Sequence, residues 1–164
     1  KNISLNFHMV GHLQTNKVNK ALDIFSLIHS VDSFRLLQKI NEVSASKGNI
    51  TEVLLEVNVS GEKSKFGINS SEAIDFLKEA SGLDGICVRG LMTVAPLVKN
   101  KDDARPYFSK LRQLKDKIRE MGEPFFKGRV KMDFLSMGMS QDYEAAIQEG
   151  SNMLRIGSAI FEGE

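Results

Sequence analysis

Short apolar runs alternate with amphipathic segments along most of the chain. The apolar runs are rich in β-branched and long aliphatic residues, which is typical of strands. The predicted strands are Leu5–Val10, Ile24–His29, Thr51–Val59, Ile86–Met92, Met132–Met137 and Met153–Ile156. Most of them have too few polar positions for a solvated face, which favours strands that are buried on both sides.

The segments between these runs carry apolar residues at helical spacing. The predicted helical faces are Leu37, Ile40 and Val43; Ala73, Ile74, Leu77 and Ala80; and Phe108, Leu111, Leu114, Ile118 and Met121. The charges of Lys110–Arg119 lie off the last of these faces, so we expect them to be solvated, with a weak anion site as the alternative.

Repetition of strand and helix predicts an α/β fold in which helices cover a parallel sheet. Periodicity alone leaves open whether the sheet is doubly wound or closed into a barrel. No Pro/Gly/Ser-rich linker or low-complexity segment interrupts the series, so we expect residues 1–164 to form one domain.

Composition excludes some functions. The 22 Lys and Arg residues nearly balance the 21 Asp and Glu residues, for a net charge of +1, so no nucleic-acid or anionic-membrane partner is expected. Cys87 is the only cysteine and lies between Ile86 and Val88, which indicates a core residue in a reducing compartment. With no membrane-length apolar run and no leader in the sequence, we expect a cytoplasmic protein.

Two short turns of small residues follow the last two predicted strands. They are Ser136–Ser140 and Gly157–Ser158. In a parallel α/β fold, neighbouring loops of this kind lie side by side on the carboxyl face of the sheet, where ligands bind. We therefore expect both turns to face the same ligand.

The chemistry of these turns predicts a phosphate site. Gly138 and Gly157 carry no side chain, so the N–H groups at two adjacent helix starts would be uncovered and point at one spot. Ser140 and Ser158 add hydroxyl donors, and Ser140 is also the expected N-cap of a helix over Gln141–Gln148.

Ordinary turn chemistry is the alternative explanation for the same residues. Gly and Ser are common at strand-to-helix junctions, and Asp142 could be the only anion that the helix dipole meets. Arg155 favours the ligand hypothesis because it lies inside an apolar strand, where an unpaired guanidinium is costly to bury. We expect its side chain to face a ligand or a carboxylate.

Six blocks of sequence together resemble the pyridoxal-phosphate homeostasis proteins. They are GHLQTNKV at 11–18, SLIHSVDS at 26–33, VNVSGEKSKFGI at 57–68, VRGLMTVAP at 88–96, LSMGMSQDYEAAIQEG at 135–150 and RIGSAIF at 155–161. The resemblance covers the chain from about Phe7 onward, with the blocks in the order that the family has.

The resemblance implies a partial (β/α)₈ barrel similar to the N-terminal barrel of alanine racemase, with about six βα units. It implies binding of pyridoxal 5′-phosphate on the carboxyl face, a role in intracellular vitamin B6 balance and no catalytic activity. At matching positions Ser140, Gly157 and Ser158 would hold the phosphate, and Arg155 would lie against the pyridine nitrogen. Apo enzymes that need the cofactor would be partners, and the full-length protein would be a monomer.

The chain departs from the family pattern in two places. The aldimine lysine of the family lies on the first barrel strand in a V-S-K-x-K type run, which is absent here; Lys17 and Lys65 match other positions. We therefore expect a chain that lacks its first strands, whose open sheet edges make it poorly stable or self-associating.

The second departure is Glu162, which stands where the family usually has glycine and could disturb the second turn.

Other functions are weaker alternatives. A racemase or decarboxylase that uses pyridoxal phosphate would need a proton-transfer residue, and neither Tyr107 nor Tyr143 is expected to supply one. A barrel enzyme that handles phosphate without pyridoxal chemistry is a further alternative. His8 and His12 are four residues apart but are expected on a strand and its exit, which does not favour zinc.

The residues around His29 include those of a Ser-His-Asp catalytic site, but only their composition supports such a site. Ser30, Asp32 and Ser33 lie near His29 in sequence, but the chain has no G-x-S-x-G elbow. We expect His29 to end a strand and to cap the following loop.

Overall fold

The computed structural model describes residues 4–98 and 100–162. The strands are β1 (His8–Met9), β2 (Leu27–Val31), β3 (Thr51–Asn58), β4 (Ile68–Asn69), β5 (Ile86–Met92), β6 (Val130–Met139) and β7 (Met153–Arg155). The α-helices are α1 (Val18–Leu22), α2 (Phe34–Ser46), α3 (Ala73–Ala80), α4 (Arg105–Met121), α5 (Tyr143–Gln148) and α6 (Ser158–Phe161). Short 3₁₀ turns occupy Thr15–Lys17, Lys101–Ala104 and Glu123–Phe126.

All strand pairs in the described residues are parallel. The order β1-β2-β3-β5-β6-β7 follows the chain, and the short β4 pairs beside the end of β3. Sequential parallel strands joined by helices form the open part of a βα barrel, in which β1 and β7 are the edges. The predicted partial barrel is confirmed in its strand number and direction.

The core has two layers because the sheet is buried on both faces. The larger layer lies between sheet and helices and includes Ile28, Leu55, Leu77, Leu91 and Phe108. A smaller layer inside the barrel consists of Leu27, Leu54 and Met92, with Phe134 and Met153 packed against it. This double burial explains why the strands read as nearly continuous apolar runs.

Several predicted element ends shift in the structure. Ile24 is 59% exposed, and its N–H donates to the Ala21 carbonyl, so it belongs to the turn after α1 and β2 begins only at Leu27. The first predicted strand shortens to His8–Met9, because only these residues pair with β2. In α4, Phe108, Leu111 and Ile118 are buried as predicted.

An ion cluster joins three neighbouring strands. Arg89 on β5 contacts Glu52 on β3, and its Nε donates to Asp133 on β6 at 2.7 Å. The guanidinium also lies 5.3 Å from the ring centroid of Phe134. Because these groups are partly exposed, we assign the cluster to alignment of the strands rather than to a large gain in stability.

Among the helices of the described residues, none is both long and apolar enough to cross a membrane.

Candidate functional site

A cleft of about 930 Å³ opens at the carboxyl ends of β5, β6 and β7. Its wall is formed by residues 95–98 after β5, residues 139–144 at the end of β6 and beyond, and Arg155, Gly157 and Ser158 at the end of β7 and beyond. The structure therefore brings four predicted site residues together around one space: Ser140, Arg155, Gly157 and Ser158. Their convergence agrees with the expectation from the paired turns, while their role in binding stays a prediction.

Ser140 connects the two turns rather than capping its own helix. Its Oγ accepts from the N–H of Gly157 at 3.3 Å and from the N–H of Ala159 at 3.2 Å, at the start of α6. The helix that Ser140 was expected to cap begins later, at Tyr143, with Asp142 as the N-cap residue. The predicted N-cap role of Ser140 is therefore wrong, because the second turn lies close enough to use the hydroxyl instead.

Asp142 stabilises the first turn from within. Its Oδ1 accepts from the N–H of Met139 at 2.7 Å, and the residue is buried. The Asp142 carboxylate therefore closes this local loop by a bond to backbone while the residue also lines the cleft.

Gly157 faces open space. A Cβ added at this glycine would meet nothing within 4 Å, so the space in front of its backbone could take a ligand atom. The neighbouring Ser158 is the first residue of α6 and is exposed, which leaves its hydroxyl available.

Gly138 lies outside the cleft and has a different role from the predicted one. Its φ is +95°, and an added Cβ would lie 2.6 Å from the Cβ of Ala146 and 3.0 Å from Cδ2 of Leu154. Glycine is needed here so that α5 can pack closely on β6. The sequence correctly indicated that this position needs a glycine, but the reason is packing against Ala146 and Leu154 rather than against a ligand.

Arg155 points into the cleft from the end of β7. Its Nη1 donates to Ser136 Oγ at 2.9 Å, and its Nη2 donates to the Thr93 carbonyl at 2.8 Å. Burial lowers the pKa of Arg155 from its ordinary value, while the Glu56 and Asp142 carboxylates act in the opposite direction. The cation is thus held by neutral acceptors, and the described residues form no ion pair with it.

Two buried titratable residues beside Arg155 were not predicted as part of the site. His29 lies inside β2 and its Nδ1 is 3.0 Å from Ser136 Oγ, so the predicted loop-capping role is wrong. Burial, with the nearby His8 and Arg155, lowers the pKa of His29 to about 4. Burial and the Asp32 carboxylate raise the pKa of Glu56 to about 7, against the effects of Arg155 and His12.

A sequence signal for Glu56 existed. This carboxylate lies within the apolar run of β3, and the argument that singled out Arg155, the cost of burying a charge, applies equally to it. His29 gave no comparable signal, because a histidine near a strand end has many ordinary roles.

The histidines that were considered as zinc ligands have other contacts. His12 Nδ1 lies 3.3 Å from Asp32 Oδ2, and its ring stacks on Phe66 at 4.6 Å between centroids. Nε2 of His29 lies 3.2 Å from Nδ1 of His8. Within residues 4–98 and 100–162, no group of three or more His, Cys, Asp or Glu side chains could hold a metal ion.

Replacing Glu56 by glutamine should change how stability depends on pH. Because the pKa of Glu56 is raised from 4.5 to about 7, its favourable contribution is complete below pH 4.5 and is lost as the pH rises through about 7. The free energy of unfolding of Glu56→Gln minus that of the parent should therefore increase from acidic to alkaline pH, by up to about 3 kcal/mol.

Urea unfolding of both chains at acidic and at mildly alkaline pH measures this difference. His29 titrates in both chains and so cancels in the comparison. Glu62→Gln is the matched control, because Glu62 is exposed and does not line the cleft. Stability profiles of Glu56→Gln and the parent that run parallel with pH would contradict the prediction.

Comparison with known proteins identifies the family. The family model described as "Alanine racemase, N-terminal domain" matches residues 2–164. The pyridoxal phosphate homeostasis protein of Aquifex aeolicus (strain VF5) is 38% identical over 161 residues, which cover 98% of this chain and 68% of that protein. The chain belongs to the pyridoxal phosphate homeostasis protein family.

Solved structures support the same assignment. A crystal structure of an unknown protein from Bifidobacterium adolescentis matches with a TM-score of 0.88 and 44% identity, over 95% of this chain and 60% of that one. PipY of Synechococcus elongatus PCC7942, with PLP bound, matches with a TM-score of 0.83 and 29% identity, over 96% of this chain and 70% of that one. The homeostasis-protein chain thus spans about two thirds of the length of these relatives, and its predicted barrel type is confirmed.

Proposed function

We propose that this chain binds pyridoxal 5′-phosphate in the cleft and serves cofactor homeostasis without catalysing a reaction. The observation that carries the proposal is the meeting of two polar turns and one inward guanidinium around a single space. PipY, a relative in this family, is described as having PLP bound. A cytoplasmic location, with the cofactor passing to apo enzymes, is part of the same proposal.

The residues of the cleft fit the chemical groups of the cofactor. A space of about 930 Å³ is within the usual range for a small-molecule site. Ser158 and the open backbone at Gly157 suit a phosphate, and the Ser140 hydroxyl retains a proton that it can donate. Arg155 supplies donors for the pyridine ring, and a guanidinium cannot take up the ring's proton.

We propose that this binding is weak and reversible in this chain. When bound, the cofactor supplies an aldehyde that reacts with amines, and the family's lysine for that purpose is proposed to lie outside this chain. Three charge-assisted hydrogen bonds contribute on the order of 4–9 kcal/mol. Association itself costs an estimated ~4–15 kcal/mol, so little net affinity remains. A site of this strength suits storage and release.

Calorimetric titration of the chain with pyridoxal phosphate, pyridoxal and inorganic phosphate tests the proposal. We expect pyridoxal phosphate to bind more tightly than pyridoxal, because the phosphate is the group that the turns hold. The double variant Ser140→Ala/Ser158→Ala should weaken pyridoxal phosphate and inorganic phosphate alike, by about tenfold or more.

Ser46→Ala is the control for this double variant, because Ser46 is exposed at the end of α2 and distant from the cleft in the fold. Borohydride reduction with pyridoxal phosphate should leave Lys17, Lys63 and Lys65 without stoichiometric label. Stoichiometric labelling of one of these lysines, or equal affinity for pyridoxal and its phosphate, would contradict the proposal.

A racemase or decarboxylase acting on amino acids is the second candidate, and one observation bears on it. Tyr143 lines the cleft, which places a phenol nearer to the ligand space than the sequence suggested. Incubation of the loaded chain with L-amino acids should nevertheless give neither racemisation nor release of carbon dioxide. Turnover that disappears in Tyr143→Phe would favour this candidate.

A further inference from the structure

The Ser136 hydroxyl lies between two polar side chains of the barrel interior. Its Oγ is 2.9 Å from Nη1 of Arg155 and 3.0 Å from Nδ1 of His29. The second ring nitrogen of His29, Nε2, is 3.2 Å from Nδ1 of His8. Ser136 is 0% and His29 is 1% exposed, so water does not substitute for these partners. The four side chains form a continuous row that starts in the cleft.

One arrangement of donors and acceptors satisfies every group in this row. A guanidinium is a donor only, so Ser136 Oγ accepts from Arg155. If the hydroxyl also accepted from Nδ1 of His29, its own proton would have no acceptor among the described contacts, so we assign Ser136 as the donor to Nδ1. On this assignment Nδ1 is unprotonated, and the proton of the neutral ring is on Nε2, from which it is donated to His8. The low pKa of His29, about 4, agrees with a neutral ring.

The partners of Ser136 are unusual for a residue that only fills a core. Most side-chain hydrogen bonds in proteins go to backbone or water, whereas both partners of Ser136 are side chains. Arg155 has a long side chain with several rotatable bonds, whose motion must be restrained before the ligand arrives if binding is not to be weakened. The Ser136 and Thr93 contacts use two of its five N–H donors, and within residues 4–98 and 100–162 no further hydrogen bond of Arg155 is found.

We propose that Ser136 and His29 are positioning residues that hold the Arg155 guanidinium ready for the pyridine ring of the cofactor. This inference rests on the proposed function, since the ring is the group that Arg155 is proposed to meet. Each group in the row, from Arg155 through Ser136 and His29 to His8, donates a hydrogen bond to the next. This order requires the His29 proton to be on Nε2.

The first test uses the full chain without cofactor. With isotope-labelled histidine at neutral pH, the long-range proton–nitrogen spectrum should show His29 protonated on Nε2 and unprotonated on Nδ1. The Arg155 Nη signals should be resolved in the parent chain and should move toward merging in Ser136→Ala, because only the Thr93 contact then restrains rotation of the guanidinium. A proton on Nδ1, or unchanged Arg155 signals in that variant, would overturn the inference.

The second test is a double-mutant cycle on cofactor affinity. Ser136→Ala and His29→Leu should each weaken pyridoxal phosphate by about tenfold, and the double variant should weaken it no further, because both act through Arg155. Affinity for inorganic phosphate should not change. His29→Asn should restore binding, because its amide oxygen can accept the Ser136 proton.

Ser44→Ala is the matched control, since Ser44 is a buried serine that hydrogen-bonds Thr51 and lies away from the cleft in the fold. Additive losses in the cycle, or equal losses for inorganic phosphate, would contradict a positioning role. If the parent chain binds neither pyridoxal phosphate nor inorganic phosphate, the proposed function fails. The magnetic resonance signals of His29 and Arg155 in the cofactor-free chain still decide whether the row of hydrogen bonds exists.

Discussion

Replacing Gly90 by alanine should lower the free energy of unfolding by about 3 kcal/mol or more, which is the upper range for overpacking. Gly90 lies on β5, opposite Phe134 of β6. A Cβ at this position would lie 2.0 Å from the Phe134 carbonyl oxygen and 2.7 Å from its carbonyl carbon. Backbone atoms cannot rotate away as a side chain can, so the two strands would have to separate.

Urea unfolding followed by circular dichroism measures this loss. Domains of this size are stable by only about 5–15 kcal/mol, so the variant should unfold at clearly lower urea or fail to fold. Gly11→Ala is the control, because an added Cβ there meets nothing within 4 Å. If Gly90→Ala unfolds at the same urea concentration as Gly11→Ala, the close approach of β5 and β6 is not as described.

Replacing Arg155 by methionine should weaken pyridoxal phosphate by about tenfold to a hundredfold while leaving inorganic phosphate nearly unchanged. The loss corresponds to one hydrogen bond from a charged donor, about 1.5–3 kcal/mol. Inorganic phosphate should be spared because Ser140, Gly157 and Ser158 are the residues proposed to hold the phosphate. This difference separates the two halves of the proposed site.

The same substitution should also affect stability. The Thr93 carbonyl and the Ser136 hydroxyl each lose a donor, and an unsatisfied buried polar group costs about 1–3 kcal/mol. Arg155→Lys separates charge from geometry, since lysine keeps the positive charge without the planar fork. We expect it to bind pyridoxal phosphate less well than the parent.

Arg129→Met is the control for the Arg155 variants, because Arg129 pairs with Asp84 and does not line the cleft. Titration of each chain with pyridoxal phosphate and with inorganic phosphate gives the comparison. If both ligands weaken equally in Arg155→Met, the guanidinium binds phosphate and not the ring.

The strands were predictable because a strand that is buried on both faces of the sheet needs apolar residues at nearly every position. Ile86–Met92 was predicted with the bounds that the structure shows, since this central strand is mostly apolar and Arg89 is its only charged residue. The ends were less predictable at the edge of the sheet. Leu5, Phe7 and Val10 are apolar but exposed, so apolar character extended the first predicted strand beyond its two paired residues.

The partners within the site were less predictable than its members. Ser140 was assigned to the helix nearest in sequence, whereas its hydroxyl accepts from residues 17 and 19 positions away. Gly138 was assigned to the ligand, whereas its contacts are with Ala146 and Leu154. In each case the residue type correctly indicated a special position. The residues that contact it, however, come from another part of the chain.

By itself, the sequence determined the order of six of the seven strands that the structure describes, the parallel sheet, and the presence of two polar turns with an arginine beside them, whereas β4 and α1 were not predicted. These features follow from local rules, because periodicity, turn residues and the cost of burying charge act over a few neighbouring positions. Only the tertiary structure decided that Ser136 meets His29, 107 residues away, and that Glu56 lies close enough to Arg155 to interact electrostatically. Such contacts depend on how parallel strands curve and on their register, and a one-residue change of register would turn each of these side chains to the opposite face.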